Sequence, residues 1–165
     1  MANTKLRSPA LDPRTIEMHV GTTYPSPHDG ICKNRKKARL GDALGLNNFG
    51  VNYVCLPSGT ASSQRHWHTK QDEFIYIIEG ELVLVTDIGE QVLGAGMVAG
   101  FPAGQPDGHH LINRTDCDAI YLEVGDRTAG DGGEYSDIDM RAVRHNDGIN
   151  FVHKDGTPYD TKDEK

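Results

Sequence analysis

The stretch Gly59-Thr-Ala-Ser-Ser-Gln-Arg-His66-Trp-His68-Thr-Lys-Gln-Asp-Glu73-Phe-Ile-Tyr-Ile-Ile-Glu-Gly80 decides how this chain of 165 residues is read. In an extended strand residues i and i+2 point the same way, so His66 and His68 place two imidazoles on one face. Glu73 then opens a run in which Glu73, Ile75, Ile77 and Glu79 share one face and Phe74, Tyr76 and Ile78 share the other. Both faces are largely apolar, which predicts a strand buried on both sides. A carboxylate in such a strand is costly unless it is paired, hydrogen-bonded or bound to a cation. A turn between the two runs would bring Glu73 beside the imidazoles.

A third imidazole comes from far along the chain, in the pair His109-His110. Alternation puts His109, Leu111 and Asn113 on one face and His110 and Ile112 on the other. Three histidines and one carboxylate can converge on a single divalent metal. Imidazole suits Zn, Cu, Fe and Ni, and a carboxylate admits Mn. Four ligands on a metal that prefers five or six leave open positions, which suits catalysis better than a closed structural site.

The two segments resemble the paired motifs of the cupin superfamily. In the first motif a Gly is followed by HxH, a Glu and, six residues on, another Gly, and here these are Gly59, His66, His68, Glu73 and Gly80. The gap before HxH is six residues where five is usual. The second motif, G-x5-PxG-x2-H-x3-N, is similar to Gly96, Pro102, Gly104, His109 and Asn113, with the last gap before His longer by two. Counting back from Asn113 selects His109 rather than His110. The motifs span residues 59–113, and the wider chain looks like small single-domain cupins described as no more than cupin-domain proteins or sugar-phosphate isomerases. The resemblance implies an all-β fold, a double-stranded β-helix or jelly-roll barrel. It implies one divalent transition metal (Zn, Mn, Fe or Ni) held by His66, His68, Glu73 and His109, and a small-molecule substrate. His110, Asn113, Tyr53 and Gln105 are the neighbouring candidates, either supporting the ligands or reaching the barrel mouth.

The rest of the chain is consistent with that frame. Short runs rich in Val, Ile, Tyr and Phe recur between Gly and Pro punctuation, which predicts strands at 50–56, 63–68, 73–79, 81–87, 90–93, 97–101, 109–113 and 118–124. Residues 1–46 read as a polar arm with a short helical turn near Ala43 and Leu44, residues 47–125 as the barrel, and residues 126–165 as a polar extension packed on it, with one further strand at 149–152. Lys33, Arg35, Lys36, Lys37 and Arg39 crowd five basic groups into seven positions. They read first as a solvated loop, and second as a site for an anion.

A formal charge of −7 argues against a nucleic-acid coat. No apolar stretch approaches the 18 residues of a membrane span. Cys32, Cys55 and Cys117 form no CxxC pair, and with no export signal at the start they are expected to be reduced thiols in a cytoplasm. Cys55 is expected as a small buried hydrophobe. Trp67 is expected under the arm or at a subunit contact, and His19, His28, His145 and His153 show no ligand spacing. The functions expected are a metal-dependent isomerase of a sugar or sugar phosphate, with a dioxygenase or lyase of small organic acids, or a binding protein for a small ligand, as alternatives. Exposed sheet edges and the long arm predict a homodimer.

Overall fold

The computed structural model describes residues 8–145 and 148–159. The charged end at residues 162–165, the first seven residues and the side chain of His145 lie outside the described residues. The order is β1 (His19–Val20), β2 (Lys36–Arg39), α1 (Leu40–Ala43), β3 (Phe49–Leu56), β4 (His66–His68), β5 (Glu73–Glu79), β6 (Glu81–Thr86), β7 (Gly89–Gly94), β8 (Val98–Phe101), β9 (His110–Ile112), β10 (Ala119–Asp126), β11 (Gly132–Tyr135), β12 (Arg141–His145) and β13 (Gly148–Val152). The eight expected barrel strands form, most within one or two residues of their expected ends; β4 and β9 are shorter. The expected helical turn is α1.

The strands pair antiparallel. One sheet runs β1-β2-β3-β10-β5-β8; the others are β13-β12-β11-β4 and β7-β6-β9. Bridges Ala61↔Ile112 and His66↔His109 join the last two into a second wall. The two walls face each other as the expected all-β barrel. Among the described residues no helix is long and apolar enough to cross a membrane.

Register explains why one end of the barrel is packed and the other chemical. Side chains of β2, β3, β10 and β5 meet in rows across the inner face. One row is Lys37, Val54, Tyr121 and Ile77; the next is Arg39, Asn52, Glu123 and Ile75; the last is Gly50, Gly125 and Glu73, with Phe101 of β8. Val54, Leu56, Ile75, Ile77, Leu82 and Leu111 form the buried core. Each such side chain contributes about 1.5–3 kcal/mol of burial free energy. Towards Glu73 the rows turn polar, and glycines in place of bulk leave room for a cavity.

Three expectations change. The outer face of β5 is not buried: Phe74, Tyr76 and Ile78 are 42, 40 and 39% exposed. A single barrel buries only the inward face of an antiparallel sheet. The basic segment is not a loop, because Lys36–Arg39 forms β2 and adds to β3. Arg35 and Lys37 are half-buried rather than solvated. Residues 126–165 supply three strands, because β11 and β12 extend the wall that begins at β4. Cys32 and Cys55 are buried thiols, and burial pushes both up to about 11.

Candidate metal centre

β4 presents His66 and His68 on its inner face, and β5 begins at Glu73 on the facing wall. His109 pairs with His66 through both backbone bonds, His66 N to His109 O at 3.3 Å and His109 N to His66 O at 2.9 Å. Their rings stack with centroids 5.6 Å apart. Phe101 lies flat on His109 at 3.5 Å and Tyr135 on His66 at 5.5 Å, so the rings are wedged by aromatic faces.

The three rings share one hydrogen-bond pattern. Nδ1 of His66 lies 3.0 Å from Gln64 O, Nδ1 of His68 lies 2.7 Å from a carboxylate oxygen of Asp131, and Nδ1 of His109 lies 3.3 Å from Asp107 O. Carbonyl and carboxylate oxygens only accept, so Nδ1–H donates and the neutral ring keeps its lone pair on Nε2. The Nε2 atoms of His66 and His68 come together beside Glu73, and that of His109 adjoins the carboxylate. His66 Nε2 and His68 Nε2 are 3.3 Å apart, and Glu73 Oε2 is 3.3 Å from His109 Nε2 and 3.8 Å from His68 Nε2. His66, His68 and Glu73 offer ligand atoms all within 4.8 Å of one another, and His109 adjoins them through Glu73. Ligand atoms about 2.1 Å from a shared ion sit about 3.0–3.4 Å from each other, so the donor set fits a metal.

Electrostatics favours a cation at the same point. Two lone pairs facing each other at 3.3 Å repel unless positive charge lies between them. Burial holds the His66 ring down at about 4, helped by His68 beside it, so the ring is neutral near pH 7. Burial pushes Glu73 up, but the hydrogen bond and charge of His109, then His66 and His68, override it and hold the carboxyl at about 2. A proton on His109 Nε2 or a metal cation can occupy the place between that nitrogen and Glu73, and one excludes the other.

The cluster opens into a cavity of about 650 Å³. The wall that carries Glu73 also carries Lys37, Arg39 and Glu123, and Arg35, Arg127 and Arg144 line the cavity as well. Lys37 Nζ donates to Glu123 Oε1 at 2.7 Å, and Arg127 pairs with Asp42. Arg39 has no ion-pair partner among the described residues.

The other candidates separate. His110 points away from His109 and donates Nδ1–H to Ser63 O at 2.9 Å; burial lowers its pKa below the usual imidazole range. Asn113 is fully buried and does not line this cavity. Its Nδ2 donates to Leu56 O and Cys117 O, and its Oδ1 takes the Thr115 N–H, so it braces a turn. Tyr53 does not reach the barrel mouth, because alternation on β3 turns Asn52 and Val54 inward and Tyr53 outward. Gln105 is exposed and lines a smaller adjoining cavity of about 220 Å³, together with Trp67. His153 bonds Asp139 and stacks on Tyr159, away from the cluster.

A family model described as Cupin domain matches residues 52–125. A crystal structure from Silicibacter pomeroyi, described as a sugar phosphate isomerase from a cupin superfamily, is 47% identical, with a TM-score of 0.88 over 92% of this chain and 97% of that one. This chain belongs to the cupin superfamily. A structure from Acidithiobacillus ferrooxidans, provisionally described as a sugar phosphate isomerase, is 25% identical to this cupin over 78% of its length and 82% of the other, with a TM-score of 0.69. The polyketide cyclase RemF of Streptomyces resistomycificus, 17% identical with a TM-score of 0.58 over 71% of this chain and 78% of that one, shares the fold alone. No curated protein matches this cupin.

Two residues of this cupin's site escape a reading of the motifs. Asp131, which orients His68, sits in the run Gly130-Asp131-Gly132-Gly133, whose composition signals only a turn. Glu123 sits in an apolar strand, and the argument that singles out Glu73, the cost of a carboxylate on an inward face, applies to it equally.

Proposed function

We propose that this cupin is a metal-dependent isomerase acting on a sugar phosphate or a closely related small oxygenated metabolite. The observation that carries this reading is the cluster of His66, His68 and Glu73, with His109 adjoining it through Glu73, in a cavity that Lys37, Arg39 and Arg35 also line. The 47% identical relative described as a sugar phosphate isomerase supports the substrate class. His66, His68, Glu73 and His109 would hold one divalent transition metal, Zn, Mn, Fe or Ni, which when bound supplies Lewis-acid polarisation of a carbonyl. Arg39, with no ion-pair partner among the described residues, offers an anion such as a phosphate a guanidinium. Phe101 and Tyr135 hold two of the imidazoles in place and keep water from their faces.

The test begins with elemental analysis of the natively loaded protein, where close to one transition metal per chain is expected. His66→Ala and His109→Ala are each expected to remove it, and stoichiometric metal in His109→Ala would refute the fourth ligand. The loaded protein is expected to interconvert aldose and ketose phosphates. Iron together with oxygen-dependent turnover of keto acids would move the reading to a dioxygenase. Absence of all turnover, with a ligand still raising the melting temperature, would move it to a binding protein. The reading also includes a homodimer in a reducing cytoplasm, where three free thiols are stable.

A further inference from the structure

An aldose–ketose isomerisation moves a proton between two adjacent carbons, so it needs a group that is free to take and return that proton. Residues committed to a metal cannot serve. Of the other carboxylates lining the cavity, Asp126 accepts from Asp72 N and Thr128 N, and Asp131 from His68 and Lys70 N, so both oxygens of each are engaged. Asp42 is bound to Arg127 and Asp72 is tied to Ala103 N, both exposed at the rim.

Glu123 differs from all of these. Both its hydrogen bonds fall on one oxygen: Lys37 Nζ at 2.7 Å and Asn52 Nδ2 at 2.9 Å both donate to Oε1. Oε2 has no hydrogen-bond partner among the described residues, and it is not among the fully buried unpartnered atoms. The side chain lines the cavity and is 19% exposed. Its place is set by register. Glu123 pairs with Ile75 and Gly125 pairs with Glu73, so Glu123 and Glu73 are diagonal neighbours on the same inward face, their backbones about 7–8 Å apart. Burial pushes the Glu123 carboxyl up, but Lys37 beside it prevails and keeps it below the usual range, so it is ionised near pH 7.

We propose that Glu123 is the catalytic base of this cupin, with Oε2 as the proton-carrying atom and Lys37, from the N-terminal arm, as the residue that positions it. The inference rests on the isomerase reading above. Starting from the aldose, the C2–H bond breaks, its proton passes to Oε2, and its electron pair forms the C1=C2 bond while the carbonyl pair withdraws to O1. The O2 proton moves to O1, the O2 electron pair forms C2=O, and the C1=C2 pair takes the proton back from Oε2 at C1. No oxidant or co-reactant is consumed.

The experiment compares the metal-loaded wild type with Glu123→Gln and with the double variant Glu123→Gln/Lys37→Gln, which leaves no unpaired ammonium inside the barrel. Turnover of an aldose phosphate is followed in D2O, with deuterium at the product carbons read by proton NMR, and metal content and melting temperature are measured alongside. Loss of kcat by about 10²–10⁴-fold, with the exchange lost equally and metal per chain unchanged, is the expected result in both variants. A folded, metal-loaded variant that keeps more than a third of wild-type kcat and exchange would overturn the role of Glu123 and leave the isomerase reading standing. A wild type that neither turns over aldose or ketose phosphates nor exchanges their carbon-bound protons would overturn both.

Discussion

His68 owes its orientation to Asp131, a carboxylate 63 residues further along the chain. Without that acceptor the ring can flip its tautomer and its tilt, and Nε2 no longer points steadily at the cluster. Asp131→Ala is expected to weaken metal binding about 10–100-fold while the fold persists, measured by competition with a chromophoric chelator. His66, His68 and Glu73 are legible in the sequence because strand alternation and a short turn are local rules. His109 is legible only through its motif, and the structure shows why its neighbour fails: adjacent strand residues face opposite ways, and His110 is spent on Ser63 O. Asp131 is illegible, and Glu123 shows only as a carboxylate in an apolar strand, for a different reason. Their roles arise from pairings between segments distant in sequence, which no window of the chain contains.

At the scale of elements, the chain passes from β5 in one sheet to β6 in the other through Gly80, whose φ of +79° lies in the left-handed region. A Cβ there would sit 3.0 Å from the Cβ of Ala119 on the neighbouring strand. Gly80→Ala is therefore expected to cost about 1–3 kcal/mol, read as a lower midpoint in denaturant with an unchanged slope. The barrel strands show in the sequence because alternation and Gly punctuation are strong there. β2 does not, since Lys36-Lys37-Ala38-Arg39 carries the composition of a solvated segment. What makes it a strand is its partner: β3 offers backbone donors and acceptors, and Ala38 is fully buried while the long basic side chains run along the wall. The tail strands β11 and β12 are hidden likewise, because pairing of β11 to β4 and of β12 to β11 compensates for their Gly and charged residues.

Across the whole molecule, one uncovered apolar area among the described residues is the outer face of the six-stranded sheet. Phe74, Tyr76 and Ile78 on β5 and Val98 on β8 are all exposed there. Side chains of this size on a flat sheet suit a second copy of the same surface, since a two-fold contact is self-complementary. The wild type is expected to elute with the mass of a dimer at micromolar concentration, and Tyr76→Glu with the mass of a monomer, by light scattering. A monomeric wild type would refute the dimer.

The placement of Asp131 has a temporal meaning as well. Synthesis delivers Lys37 first, the two histidines of β4 next, and Asp131 only after the barrel motifs are complete. A nascent chain that has not yet released residue 131 lacks the acceptor that aims His68, so tight capture of the ion waits for the last wall to close. On the reading proposed above, loading would then work as a checkpoint: the chain would take its metal firmly only once Asp131 stands beside His68, and half-made barrels would compete poorly for a scarce ion.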